Sequence, residues 1–265
     1  MKIALVYDWL DSWGGAERVL LTFHKMFPKA PIFTSIYHPQ KAVWARNFEV
    51  KTSFLQKFPF AKTKRKFYTA LMPLAFETFN FSQYQLVISV SSFAAKGIIT
   101  SPGTKHINYL LTPTRFLWQE NNQFLNNWQK KISLPVLKYL QNWDQMAAQR
   151  PDQIITISKI VQKRCQKYYH RSSQIIYPPV KKYFRPGKNK SEKYFLLVAR
   201  LEPYKRVDIA IRAFNQLNWP LKIIGRGSQE KKLKKMARPN IEFLKDLTDS
   251  QLLRYYQNSQ AIIFP

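Results

Sequence analysis

The chain has 265 residues, 45% hydrophobic and 15% aromatic, enough apolar material for one large core or two modest ones and too much for a mostly disordered chain. Lys and Arg number 43 against 15 Asp and Glu, a formal net charge of +28, which suits either a polyanion-binding surface or a generally basic solvated one. A single cysteine, Cys165, and four scattered histidines, His24, His38, His106 and His170, exclude an intrachain disulfide and give metal catalysis no support.

In chain order, residues 3–7 (IALVY) form a compact apolar run expected of a strand buried on both faces of a parallel sheet. The run is too short, and too soon followed by Asp8 and Asp11, to be a signal peptide. No segment approaches the roughly 20 apolar residues of a membrane span. The expected location is therefore the cytoplasm, at most peripheral on the inner face of the cell membrane. A turn-rich stretch leads to residues 16–26, where Val19, Leu20 and Phe23 fall on one helical face. Strands are expected at 32–36, 86–90, 106–111, 154–157 and 174–177, with a basic helix at 159–169. Residues 116–148 read as helical, with a break near Pro135.

Pro178, Pro179 and the charged run with Pro186 and Gly187 interrupt this rhythm and mark a boundary. The expected organisation is an N-terminal Rossmann-like domain over 1–182, a linker over 183–193 and a second Rossmann-like domain over 194–265. In the second domain strands are expected at 194–199, 221–224, 241–244 and 261–264, separated by helices at 206–217, 228–237 and 250–257. That domain, at roughly 70 residues, is small for a doubly wound sheet, so it is expected to be incomplete.

Three sets of residues could carry chemistry. Gly14 and Gly15, between the first strand and first helix, let backbone approach a ligand closely, or simply form a tight turn; they are not a G-x-G-x-x-G fingerprint. Arg200, Lys205 and Arg206 stand between the first strand and helix of the second domain, where cations suit a diphosphate or form an exposed charged loop. Gly225 and Gly227 permit close approach to a flat ring or ribose, or serve an ordinary turn. A fourth set, Lys62, Lys64, Arg65 and Lys66 among Phe58, Phe60, Phe67 and Tyr68, could dock on anionic lipid or be a solvated face.

Together the segments IALVYDWLDSWGGAERVL, QIIYPPV, ARLEPYKRVDIAIRAF and LKIIGRGSQEKKLKKMA with NIEFLKDLTDSQLLRYYQNSQAIIFP resemble glycosyltransferase family 4, in order and over nearly the whole chain. The branch most similar to it is mannosyltransferase-like, where Tyr-Lys-Arg-Val-Asp is typical. The resemblance implies a GT-B α/β fold of two Rossmann-like domains facing a cleft. It implies front-face transfer of a hexose such as mannose, with retention, from a GDP- or UDP-linked sugar to a glycan or lipid-linked acceptor, as in cell-envelope polysaccharide assembly. Arg200 and Lys205 would hold the donor diphosphate, Gly14 and Gly15 would let backbone close over it, and Gly225 would lie near the nucleoside. No cofactor and no metal is implied beyond the nucleotide-sugar substrate.

The chain departs from that pattern twice. Leu111 stands in Tyr109-Leu110-Leu111-Thr112-Pro113 where the family often has a histidine, and the family's paired glutamates would fall beyond Pro265. No catalytic residue is singled out. The alternatives are a GT-B sugar-nucleotide epimerase and a non-catalytic basic module binding a membrane or another polyanion, with nucleic acid the least favoured partner.

Overall fold

A computed structural model describes residues 1–118, 127–180, 185–187 and 192–265, with backbone only for 127–133. They form two compact units, Met1–Pro179 and Val180–Pro265. Part of the expected linker, residues 183, 184 and 188–191, lies outside the described residues.

The first unit is built on seven parallel strands: β1 (Ile3–Tyr7), β2 (Ile32–Thr34), β3 (Val50–Thr52), β4 (Leu86–Ser91), β5 (Lys105–Leu110), β6 (Gln153–Thr156) and β7 (Gln174–Ile175). Their spatial order is β3-β2-β1-β4-β5-β6-β7, so the order reverses between β1 and β4. There Tyr7 lies beside Thr34 on one side and Val90 on the other. Both faces of the sheet are covered. Leu5 and Tyr7 join Val19 and Leu20 of helix α1 (Gly15–Met26), while Ala4 and Val6 join Phe76, Leu140, Trp143 and Ala147. This alternation along β1 is the two-residue period of a strand, and burial on both sides explains why its sequence is apolar throughout.

Short helices α2 (Ala61–Lys64), α3 (Met72–Glu77) and α4 (Arg115–Trp118) precede the long α5 (Asn127–Ala147), and α6 (Lys159–Tyr169) follows β6. Helix α5 runs through Pro135, where the sequence suggested a break. Pro135 is exposed, and on an exposed face water can replace the backbone partner that the ring removes. The buried C-terminal half, with Leu140, Trp143, Asp144 and Ala147, holds the helix to the sheet. Residues 119–126 of the expected helical stretch lie outside the described residues.

An ion pair lies inside this unit. Lys96 and Asp144 are 1% and 0% exposed, with Nζ 2.5 Å from Oδ1. Asp144 also accepts hydrogen bonds from the Thr114 hydroxyl at 2.8 Å, Trp118 Nε1 at 2.7 Å and the Tyr169 hydroxyl at 2.7 Å. Lys96 donates a second bond to the Phe93 carbonyl at 2.6 Å and faces the Tyr169 ring at 5.3 Å. Burial first, then the neighbouring Asp144 charge, pushes the Tyr169 phenol well above its usual range. Elsewhere in this unit His106 is fully buried on β5, its Nε2 2.8 Å from the Ser89 hydroxyl, and burial lowers its pKa from 6.5 to about 3.

The second unit has four parallel strands, β8 (Phe195–Val198), β9 (Leu221–Ile224), β10 (Ile241–Leu244) and β11 (Ala261–Ile262), in the order β10-β9-β8-β11. Helix α7 (Val207–Leu217) buries Val207, Ala210, Ile211 and Phe214, the i, i+3, i+4, i+7 stripe of an amphipathic helix. That stripe meets Leu197, Leu221, Ile223 and, from α8 (Glu230–Met236), Leu233. Helix α9 (Asp249–Asn258) starts in a capping box made by Thr248 and Gln251 and packs Leu252 and Tyr255 against Leu196.

Two outcomes are expected. Lys96→Met or Asp144→Asn alone should lower unfolding free energy by about 3–5 kcal/mol, because each leaves a buried partner uncompensated. The double variant should lose clearly less than the sum in a denaturant-melt cycle. For His106, the folded pKa lies below the unfolded one, so its contribution is complete above pH 6.5 and is lost as pH falls toward 3. Stability should drop by up to about 1.4 kcal/mol per pH unit in that window, and His106→Gln should flatten the slope in pH-dependent urea melts.

Candidate functional site

The C-terminal edge of the second sheet gathers the cations singled out in the sequence. After β8 the chain runs from Ala199 to Glu202 and makes a 3₁₀ turn, Pro203–Lys205. It then enters α7 through Arg206, whose φ of 48° is left-handed. The loop is held from its side by the neighbouring strand's loop. The Leu201 amide donates to the Arg226 carbonyl at 2.8 Å, and the Gln229 amide donates to the Leu201 carbonyl at 2.9 Å. The Glu202 carboxylate takes the Ser228 hydroxyl at 2.7 Å and its amide at 3.1 Å.

This loop-to-loop contact accounts for the two glycines. A Cβ at Gly225 would sit 1.9 Å from the Ala199 carbonyl oxygen, and one at Gly227 would sit 2.3 Å from that of Leu201. What demands glycine at both places is the backbone of the Arg200 loop. Their absent side chains admit the segment that carries the cations.

The three cations are in different situations. Arg206 is tied to Asp208, Nε to Oδ1 3.2 Å, and Asp208 also pairs with Arg212 at 2.5 Å. The Arg206 hydrogen bond is the main cause that lowers the Asp208 pKa. Arg206 thereby serves the start of α7, where the acidic Asp208 suits the helix dipole. Lys205 is half-buried, with Nζ 5.4 Å from the Phe264 ring and 5.7 Å from that of Tyr204. Arg200 is exposed at the strand end. Arg200 and Lys205 thus flank a strand-to-helix turn just ahead of the amide-rich first turn of α7, a place suited to an anion. Next to it, Arg226 pairs with Asp246 of the loop after β10.

In the first unit, Gly14 and Gly15 lie at the C-terminal edge of β1, where the strand order reverses. Gly14 precedes α1 and Gly15 is its first residue, with open space where a Cβ would project. The turn before them is braced by Glu17, which accepts from the Tyr7 hydroxyl at 2.8 Å, and by Trp44, whose Nε1 donates to the Ser12 carbonyl at 2.9 Å. Asp8, fully buried beside them, accepts bonds from the Ser92, Phe93 and Ala95 amides at 2.7, 3.0 and 2.8 Å and from the Ser92 hydroxyl at 3.0 Å. Burial raises the Asp8 pKa, opposed by the Ala95 and Ser92 amides and by the charge of Lys96. Leu111 is half-buried in the apolar cluster around Tyr109 and Val90. Thr112 is buried, and among the described residues its hydroxyl has no hydrogen-bond partner, while Thr114 serves Asp144.

Of the basic set, Lys62, Lys64 and Lys66 are exposed. Arg65 is half-buried, paired with Asp11 and lying 4.5 Å from the centre of the Trp9 ring. Among the described residues no group of His, Cys, Asp or Glu is placed to hold a metal ion, and no helix is long and apolar enough to cross a membrane. The roles of Asp8, Glu202 and the Lys96–Asp144 pair are absent from the sequence reading. Only Asp8, a lone acid directly after a buried strand, left a signal there.

The glycines should respond differently to substitution. Gly227→Ala should destabilise the second unit by about 2–4 kcal/mol through the clash with the Leu201 carbonyl. Gly15→Ala should change stability by no more than about 1 kcal/mol. Thermal melts of the two variants check both.

Residues 181–265 match the family model described as glycosyl transferases group 1. No curated protein matches the chain in sequence. Among solved structures, the Anabaena protein Alr3699/HepE in complex with UDP is similar at a TM-score of 0.61 and 14% identity, covering 99% of this chain and 73% of that one. Sucrose-phosphate synthase from Thermosynechococcus elongatus is similar at 0.64 and 9%, covering 100% and 75%. TarM is similar at 0.51 and 15%, covering 74% and 39%. At these identities the likeness is one of fold, and the fold is the α/β GT-B type with two parallel sheets.

Proposed function

We propose that the chain acts as a retaining glycosyltransferase, moving a hexose of the mannose type from a UDP- or GDP-linked donor to a glycan or lipid-linked acceptor. The observation that carries this reading is the loop after β8. There Arg200 and Lys205 flank the turn into α7, in the unit that matches the glycosyl transferase model. The resemblance of the Ala-Arg-Leu-Glu-Pro-Tyr-Lys-Arg-Val-Asp segment to the family's donor-phosphate motif supports it, as does the UDP in the Anabaena relative's structure.

In this reading the donor diphosphate sits at the C-terminal edge of the second sheet. Arg200 offers a planar fork to its oxygens and Lys205 a point charge. As the bond between the anomeric carbon and the diphosphate oxygen breaks, the leaving group takes the electron pair. The acceptor hydroxyl forms the new bond on the same face of the sugar, and its proton passes to a diphosphate oxygen. The two cations act where negative charge grows, so they stabilise the transition state more than the bound donor. Their charge makes a metal unnecessary, and the nucleotide sugar enters as substrate with no separate cofactor. Glu202 and Ser228 hold the cationic loop in place, with Gly225 and Gly227 making room for it.

Calorimetric titration with UDP-glucose, UDP-N-acetylglucosamine and GDP-mannose identifies the donor. Lys205→Ala should then weaken binding of that donor about tenfold or more and cut turnover on the order of 100-fold. Its thermal stability should change by only about 1 kcal/mol, the worth of a partly exposed cation–π contact. Undiminished binding by the variant, or no binding of any of the three donors by the parent, overturns the assignment. Conversion of the donor sugar with no acceptor present would point to epimerisation instead.

A further inference from the structure

Residues 50–76 of the first unit contain six Lys or Arg and no Asp or Glu. They fold as a 3₁₀ turn (Phe54–Lys57), then α2, then a second 3₁₀ turn (Arg65–Leu71) and α3. Leu55, Ala61, Met72 and Phe76 turn inward and are buried in the core. Phe60 and Phe67, by contrast, are 71% and 78% exposed, and Leu74 is 51% exposed. Lys62, Lys64 and Lys66 are exposed between the two phenylalanines.

The segment is a braced structure. The Tyr68 hydroxyl donates to the Pro59 carbonyl at 2.6 Å, and the Phe58 ring packs against Tyr68 at 5.4 Å and Phe54 at 5.7 Å. Arg65 anchors it to the loop after β1 through Asp11 and Trp9. Phe60 sits at a φ of 55°, a left-handed conformation that a bulky residue adopts only when its surroundings impose it. Its carbonyl accepts from the Lys64 amide at 2.7 Å, and the Lys64 ammonium lies 5.4 Å from its ring.

We propose that this segment is a docking surface for an anionic lipid bilayer, with Phe60 and Phe67 entering the headgroup boundary and Lys62, Lys64 and Lys66 meeting lipid phosphates. Exposed aromatic side chains beside lysines match a surface that is apolar below and negative above. Lys62, Lys64 and Lys66 have no Asp or Glu within the segment, whereas Arg65 is paired with Asp11 from outside it. The cation best suited to grip a nucleic-acid phosphate or a base edge, Arg65, is the one already engaged by Asp11 and the Trp9 ring. What remains outward is lysine and phenylalanine, which suit a diffuse negative interface. The inference stands on this surface alone, and its test uses no sugar, so it can fail without touching the reading of the second unit.

The test is co-sedimentation of the full chain with phosphatidylcholine vesicles, with and without phosphatidylglycerol. The chain should bind the anionic vesicles and leave the zwitterionic ones. Lys62→Gln with Lys64→Gln and Lys66→Gln should lower partitioning on the order of 100-fold. Phe60→Ser with Phe67→Ser should lower it about tenfold or more. Both variants change exposed side chains, and an unaltered melting curve confirms that they fold. Equal binding to both vesicle types, no binding at all, or undiminished binding by the triple lysine variant overturns the proposal. So does a double phenylalanine variant that binds vesicles normally while duplex DNA strips the parent from them, which would make the segment a general polyanion site.

Discussion

The first unit depends on a charge pair taken out of water. Lys96 stands in the turn after β4 and Asp144 near the end of α5, and the carboxylate's remaining lone pairs are taken by groups from the loop after β5, from α4 and from α6. Removing two ions from solvent costs several kcal/mol each, and their attraction repays it only with full hydrogen bonding. Here the turn after β4, the loop after β5, α4 and α6 each contribute a donor. The pair therefore works less as a source of stability than as a condition of assembly, since α4, α5 and α6 satisfy Asp144 only when each is docked in one register. The Tyr169 phenol is the clearest sign of that environment, held protonated by burial and by the charge beside it.

The second unit is organised by backbone proximity instead. Its cationic loop continues alongside the neighbouring loop for three residues past the strand, with Leu201 bonded to Arg226 and to Gln229. The two glycines and the Glu202–Ser228 contact are both consequences of that approach. For the proposed transfer such a fixed mount matters, because an electrostatic site acts best when its charge is already placed as the leaving group develops its own.

Most of the architecture was legible because both sheets are parallel and buried, so their strands are apolar runs and their helices carry clean stripes. Helix α6 and strands β1, β9 and β10 fall where the periodicity puts them. Strand β3 was not legible, being three half-buried residues at a sheet edge. The run of α5 through Pro135 escaped because the sequence cannot reveal that the proline faces solvent. In the candidate site, the cations were visible by position, but the reason for Gly225 and Gly227 was not: a carbonyl from a loop twenty-odd residues away has no local signature. Nothing in the local sequence separates Lys96 from the other lysines of a basic chain, and its partner lies 48 residues distant.

Asp8 has a further implication. The turn after β4 presents three amides toward the place where the strand order reverses, the crevice at which open α/β sheets commonly receive a ligand. In this unit the chain supplies its own occupant, and the Asp8 carboxylate fills that cradle in the way a bound oxyanion would. The two units, alike in topology, are thereby made chemically unlike: one has its anion built in, while the other leaves an exposed Arg200 and a half-buried Lys205 at its strand-to-helix turn. Under the proposed reading, that difference would direct a donor diphosphate to the second unit and away from the first.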